Sequence, residues 1–456
     1  MTMTRRFKRP NYEATLQTSI QLSEALPMNH LARFVVDVIA ELDVSSLYAR
    51  YAPEGGEAIA PEILLGLLFY GYATGLFSSR KIEKGTWENI PLRYIASGLH
   101  PDHDTIANFR KTFLAEIQDL FVQVLLLART AGVLKVGNIS LDGTKIHADA
   151  SKSKAVSYKR LGELEAQLRQ EVQDLMTLGE AADQGELVIP EGLVVVDEIR
   201  LRQERLENLA RARTVLETRA QERYEVEKAE YDAKVRQREA QARHTKRKPG
   251  GRPPQPPQPG AHDKDQYNFT DPDSRIMKNS TDKGVDQHYN AQIAATQDSL
   301  LIVAHSLSNH PNDQREMEPT LDALAPEVGQ ADAAVLDNGY FSAANITACV
   351  EREIEPYIAT GREAHHRSWQ TFFVEIAAPP PEDASPKVHM AYKLQTEIGQ
   401  AIYRLRKCTV EPVIGRIKEV LGFRQFSLRG LDAVRGEWGL VCLAFDLKRW
   451  HSLSIA

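Results

Sequence analysis

Between Ile139 and Ser151 the chain reads ISLDGTKIHADAS, and its positions alternate. Ile139, Leu141 and Gly143 share one face; Ser140, Asp142 and Thr144 share the other. That period of two predicts a strand. Upstream the period changes, and residues 1–130 read as helical. PEILLGLLFYGYATGLF (Pro61–Phe77) opens on a proline suited to a first helical turn and is almost wholly apolar, which predicts a buried helix. After it, Ser79, Asn89 and Asp104 stand where helix caps are expected, predicting three short helices with small turns. Such a cluster reads either as a DNA-contacting helix-turn-helix or as a plain helical or dimerisation domain.

Downstream of the strand, Leu161, Leu164, Leu168 and Leu175 lie in one run. Ile199, Leu206, Leu209, Leu216, Tyr224 and Tyr231 lie in another. Their spacings of three, four and seven predict a helical hairpin or coiled-coil arm over 158–243. HTKRKPGGRPPQPPQPGAH (His244–His262) is basic and then rich in proline and glycine, so it reads as a flexible linker. Its Lys and Arg residues are alternatively phosphate contacts. HYNAQIAAT (His288–Thr296) and SLLIVAHSLS (Ser299–Ser308) then predict a hairpin. A helix over Gln314–Ala325, a strand in AAVLDNGYF (Ala333–Phe341), a helix over Ser342–Glu353, a strand over Glu355–Ala359 and a long helix from Lys387 follow. With the arm set aside, three antiparallel strands precede alternating helices and strands. That order predicts an α/β domain, a mixed sheet with helices on its faces, formed by 131–157 and 263–450. The order resembles the ribonuclease-H-like fold, with the arm inserted after the first strand.

Composition narrows the class. At 456 residues the chain suggests two to four domains. It is 42% hydrophobic and 26% charged, with a formal net charge of -6, so bulk charge does not announce a nucleic-acid binder and any basic surface must be local. Cys349, Cys408 and Cys442 have neither metal-ligand nor redox spacing, which suits a reducing cytoplasm. No apolar run reaches the ~18 residues of a membrane span. MTMTRRFKRPNYEA is basic but lacks the apolar core of a signal peptide. The expectation is a cytoplasmic protein.

The candidate chemistry begins with Asp142. Aspartate is depleted in strands, and a covered carboxylate needs a partner, a hydrogen bond or a metal. Asp337 ends the fourth strand, which in this sheet order neighbours the first. A third acid lies in AIYRLRKCTVEPVIGRIKEVLGFRQF (Ala401–Phe426). Read as helix, this puts Arg404, Lys407, Glu411 and Lys418 on one face. A solvated face of ion pairs is the plain reading. Against it, acids are sparse and bases dense through Arg429, Arg435, Lys448 and Arg449, and Pro412 predicts a kink or restart beside Glu411. Three acids without Cys or His at ligand spacing favour hard cations, Mg²⁺ with Mn²⁺ as substitute. Two ions about 4 Å apart suit phosphodiester chemistry. His147 and Asp149 are weaker metal candidates and read as polar groups at a strand end. His365-His366 reads as an exposed loop pair, and Asp271 and Asp273 as turn formers.

In order, LDGTKIHADAS, LDNGYF and YRLRKCTVEPVIGRIK resemble the bacterial insertion-sequence transposases of the DDE type, in particular the IS-eleven-eighty-two-like group. NFTDPDSRIMK (Asn268–Lys278), Tyr289–Gln292 and the Asn312-Asp313 pair resemble its connecting segments. PEILLGLLFYGYATGLFSSRKIE and PDHDTIANFRKTF resemble its leading domain. The resemblance spans about Leu31 to Leu443. It implies Asp142, Asp337 and Glu411 as catalytic, metal-binding acids, 195 and 74 positions apart. It implies DNA as partner, both the element's terminal inverted repeats and target DNA, held by a homodimer or larger assembly. It also implies phosphate contacts from a Tyr-Arg-Glu-Lys signature. Lys418 fits that signature. Tyr403 and Arg406 stand one position early, which on an ideal helix turns Arg406 off the glutamate face and brings Lys407, beside Arg404, onto it; either Lys407 takes the phosphate contact or a kink at Pro412 restores Arg406.

Overall fold

The computed structural model describes residues 21–51, 58–245, 250–279, 284–361 and 378–455. Seven helices come first: α1 (Leu31–Ala40), α2 (Ser45–Tyr48), α3 (Pro61–Ala73), α4 (Ser79–Glu88), α5 (Ile90–Ile95), α6 (His103–Thr112) and α7 (Leu114–Thr130). α3 begins on Pro61 and is buried almost all round, as its composition requires. The caps differ in part from the sequence expectation. Asn89 does cap α5, accepting from Leu92 N at 3.3 Å. The cap of α6 is Asp102, accepting from Thr105 N at 2.7 Å, with Asp104 in the first turn; Ser79 is the first residue of α4, after the cap position Ser78. Serine and aspartate occur twice within two residues of each start, and the sequence does not say which one takes the extended cap conformation.

β1 (Asn138–His147) follows, then β2 (Ala155–Ser157) and the arm, α8 (Tyr158–Asp183) and α9 (Val195–Thr245). The arm has its own small core of Val156, Leu161, Leu168, Leu209, Ala212 and Leu216. Across it Arg213 pairs with Glu165 at 2.7 Å and Arg202 with Glu171 at 2.7 Å. The expected flexible linker is docked instead where it is described. Arg238 donates to Gly251 O at 3.2 Å and Arg223 donates to Gly260 O at 3.2 Å, so the proline-rich segment returns along α9. Its free backbone carbonyls make this possible, and a side-chain pattern does not show them.

The remaining strands are β3 (Gln266–Asn268), β4 (Arg275–Lys278), β5 (Val285–Thr296), β6 (Ile302–Ser308), β7 (Ala333–Leu336) and β8 (Glu355–Ile358). Between and after them lie α10 (Met317–Asp322), α11 (Ala343–Glu351), α12 (Pro386–Lys393), α13 (Glu397–Gly415) and α14 (Leu431–Ser454). β2 and β3 pair at the base of the arm. The other six strands form one mixed sheet of order β4-β5-β1-β7-β8, with β6 also on β5. β5 runs antiparallel to β1, β4 and β6, while β7 runs parallel to β1 and β8 parallel to β7. The long helix expected from Lys387 is two helices. The first ends at Lys393 and Thr396 caps the second, its hydroxyl accepting from Gly399 N at 3.0 Å. A Cβ on Gly399 would stand 2.0 Å from Lys393 O, so this turn requires glycine.

α14 joins the two halves. Trp438, Leu440, Val441, Leu443 and Ala444 are fully enclosed, and one continuous core runs from α1 and α3 through α14 to β1, β5 and β6. Asp446, inside that core, accepts from Ile302 N at 2.8 Å. Among the described residues no helix is long and apolar enough to cross a membrane.

Candidate active site

β1 and β7 set the first two acids side by side. Asn138 lies opposite Ala333, Ile139 opposite Ala334 and Ser140 opposite Val335. Two residues further along each strand come Asp142 and Asp337. β7 stops at Leu336, and Asp337 turns the chain, accepting from Gly339 N at 2.7 Å. β1 continues, and Asp142 accepts from Gly143 N at 2.8 Å. Gly143 leaves room here for the ends of two side chains. A Cβ on it would lie 2.3 Å from Gln292 Nε2 and 2.9 Å from Asp313 Oδ1.

The third acid comes from α13, which packs over this edge of the sheet. Glu411 is 55% exposed and Arg406 only 9%. Arg406 Nη1 is 3.2 Å from Asp142 Oδ2, and its Nη2 is 3.8 Å from Glu411 Oε1. Helical side chains lean towards the helix N-terminus, so Glu411 reaches back to an arginine that its helical position turns away. Tyr403 hydrogen-bonds Arg406 and packs beside Val335 and Tyr357. Arg404 and Lys407 are exposed on the outer side. Lys418 is half-buried and ties this segment to β1, donating to Thr144 Oγ1 at 3.1 Å and Lys145 O at 3.2 Å.

Pro412 does not restart the helix at Glu411. α13 runs through it to Gly415, and the widening comes afterwards, as a π-turn over Arg416–Val420 that carries Lys418. Proline removes one backbone donor, and the irregular turn next to the acids is of a kind frequent at functional sites.

Asp142, Gly143, Lys145, His288, Glu411 and Lys418 line one cleft of about 380 Å³. Burial pushes the Asp142 carboxyl up to about 6; the charge of Arg406 opposes the rise, and Asp337 adds to it. Burial works against the charge of Arg406, yet the neighbouring Asp142 holds its pKa above the ordinary value. Burial lowers the pKa of Lys418. His147 pairs across the strands with His288, ring centroids 4.3 Å apart, at the cleft's far end. Burial takes His288 down to about 4.

Two segments of the chain match known families. Residues 20–112 match the Transposase domain (DUF772), and residues 381–451 match the Transposase DDE domain. The chain carries two transposase domains. No curated protein and no solved structure matches. The DDE segment contains α13, the π-turn after it and most of α14, hence Glu411, Arg406 and Lys418. The two transposase segments are fastened to each other through a buried carboxylate. Glu437 of α14 accepts from Tyr72 Oη at 3.1 Å, Ser427 N at 2.9 Å and Leu428 N at 3.0 Å, with Arg110 Nη1 3.8 Å away.

A DDE domain implies divalent metal ions. The donor chemistry here suits a hard cation, since all three candidates are carboxylates. Their positions do not form a cage. Among the described residues no three His, Cys, Asp or Glu side chains gather closely enough to hold a metal. Arg406 stands between Asp142 and Glu411 instead.

Residues outside the sequence-derived set also belong to this edge. Asp313 Oδ1 accepts from Asn290 Nδ2 at 2.8 Å and Gln292 Nε2 at 3.0 Å, and Tyr340 donates to Gln292 Oε1. Asp313 contributes to the rise at Asp142. Its only sequence signal is the Asn312-Asp313 pair. Asp149 lies apart, ion-paired with Arg429 at 2.8 Å. Asp271 and Asp273 do form a turn, and they also fasten the start of α14: Asp271 accepts from Gly430 N at 3.3 Å, and Asp273 accepts from Leu431 N at 3.1 Å. His365-His366 lies outside the described residues.

Proposed function

We propose that this chain is a DNA transposase of the insertion-sequence DDE type, within the IS-eleven-eighty-two-like group, and that its sheet is a ribonuclease-H-like catalytic core. In this reading water hydrolyses the phosphodiester at the element's end, and the freed 3′-hydroxyl joins target DNA by transesterification. The carrying observation is the placement of Asp142 and Asp337 at the same end of neighbouring parallel strands, with Glu411 of the DDE segment lining one cleft with Asp142.

Asp142, Asp337 and Glu411 are assigned as the catalytic acids that would hold Mg²⁺ or Mn²⁺, in a two-ion arrangement. Cation binding there would supply Lewis-acid activation of the attacking oxygen and stabilise the leaving one. The chain's own cations would position the DNA. Arg404 and Lys407 face outward and meet phosphates directly, and Lys418 grips from the cleft floor, with Tyr403 and Arg406 behind them. The helical region is read as a DNA-contacting domain. The arm is read as a dimer or DNA clamp, and the acting species as a homodimer or larger assembly in the cytoplasm.

The test is a DNA fragment carrying the gene's native flanks, incubated with Mn²⁺ and a supercoiled target plasmid. End cleavage together with joined fragment–plasmid products supports a transposase. Cleavage without joined products would instead identify a nuclease of the same fold. Binding without cleavage at any metal concentration would identify an inactive DNA-binding protein.

A further inference from the structure

Three observations concern a single guanidinium. Arg406 reaches both Asp142 Oδ2, at 3.2 Å, and Glu411 Oε1, at 3.8 Å. Its side chain is nine-tenths buried. Its Nε is buried with no hydrogen-bond partner. An orphaned buried donor costs free energy, and Arg110 Nε, Arg219 Nη1 and Arg223 Nε are left in the same state. Arg406 is set apart by its acids: it engages two of the three proposed to hold a cation.

A guanidinium and a divalent cation compete for the same oxygens. We infer that Arg406 is a resident counter-cation. It holds Asp142 and Glu411 in the metal-free protein, is displaced when a divalent cation binds, and so sets how readily the site loads. This explains why the acids do not yet form a cage: Glu411 is held at arm's length by the arginine rather than drawn in beside Asp142 and Asp337. It also reconciles two demands on one residue. While the site is empty the guanidinium neutralises a desolvated carboxylate, which is costly to leave unpaired. Once displaced, its fork of donors is available for a DNA phosphate. Arg406 is on this account a positioning residue whose effect is exerted through the acids.

The inference rests on the proposed metal-binding role of the acids, and direct Mn²⁺ binding without DNA separates the two. Mn²⁺ titrations of the full chain, followed by electron paramagnetic resonance, would compare wild type with Arg406→Gln and Arg404→Gln. Arg406→Gln is expected to bind Mn²⁺ roughly tenfold more tightly, about 1.4 kcal/mol. Arg404→Gln, which removes an exposed charge from the same helix, is expected to stay within about twofold of wild type. Arg406→Gln binding no tighter than wild type would overturn the inference alone. Wild type binding no Mn²⁺ would overturn it together with the metal-binding reading.

A second measurement needs no variant. Phenylglyoxal modification of Arg406 in wild type, mapped by mass spectrometry, is expected to rise several-fold when Mn²⁺ is added, because displacement exposes the guanidinium. Unchanged or lower modification at saturating Mn²⁺ would contradict displacement.

Discussion

Asp142 of β1 and Asp337, the residue that follows its parallel neighbour β7, each lie two residues beyond the last paired positions, Ser140 and Val335. Parallel pairing fixes this relationship. A slip of one residue would turn one acid to the opposite face of the sheet. The pair therefore depends on β1 holding its register, and on the turn at Asp337 stopping β7 where it does.

The glycine after Asp142 is the first place to disturb that register. Gly143→Ala forces a Cβ against Gln292 and Asp313. Overpacking of this kind costs about 1–3 kcal/mol. Chemical denaturation should show a loss in that range with an unchanged far-ultraviolet spectrum. A variant as stable as wild type would mean that Gln292 and Asp313 move aside freely.

The buried acid gives a pH signature. The Asp142 carboxyl is pushed from 3.8 up to about 6 in the fold. The native state therefore binds its proton more tightly than the unfolded state, and this contribution is fully present below about pH 4 and lost as pH rises through about 6. Asp142→Asn removes the titration. The metal-free melting temperature of wild type relative to Asp142→Asn should fall between pH 4 and 6 and level off above. A difference that stays flat across this range would show that Asp142 is not desolvated.

How much of this was legible follows from what each signal is made of. The acids of β1 and β7 were legible because strand alternation and the Asp337-Asn338-Gly339 turn are local patterns. Glu411 was legible as one acid in a basic stripe. Arg406 was legible only as a member of the resembled signature; its reach to Asp142 and Glu411 was not, because a helical wheel turns it away from Glu411 and the contact depends on long side chains leaning over a turn, against a strand that only the tertiary fold supplies. The same holds for Pro412. The sequence marks a break, but the helix absorbs a missing donor and relaxes a few residues later, at Arg416–Val420. The stop before Thr396 is written in a single capping hydroxyl, inside a polar run that reads as helix surface.

The polar link inside the shared core of the two transposase segments is a buried carboxylate, Glu437. Glu437→Ala would leave Arg110 buried without its charge partner and Tyr72 without an acceptor. Breaking a buried pair from one side costs ~3–5 kcal/mol. Glu437→Gln keeps the shape and should cost less. Denaturant midpoints of the two variants check the order; equal stability of Glu437→Ala and wild type would show that this carboxylate adds nothing to the shared apolar core.

The cations of α13 separate by exposure. Arg404 and Lys407 face outward, whereas Arg406 is enclosed by the acids. In metal-free DNA binding, Arg404→Ala and Lys407→Ala should each weaken affinity and lower the salt slope by about one. Arg406→Ala should leave that slope unchanged until Mg²⁺ is added. Filter binding at a series of salt concentrations, with and without Mg²⁺, measures this. A reduced slope for Arg406→Ala without metal would place that guanidinium on DNA from the start.

The central claim is that Asp142, Asp337 and Glu411 form one catalytic set. It is tested most directly by strand cleavage of DNA carrying the native flanks, with Mg²⁺ or Mn²⁺, comparing wild type with Asp142→Asn, Asp337→Asn and Glu411→Gln. Nicks at the element's ends in wild type that disappear in all three folded variants are the predicted result. Cleavage that persists at the wild-type rate in any one of them would remove that residue from the set, and persistence in all three would contradict the account.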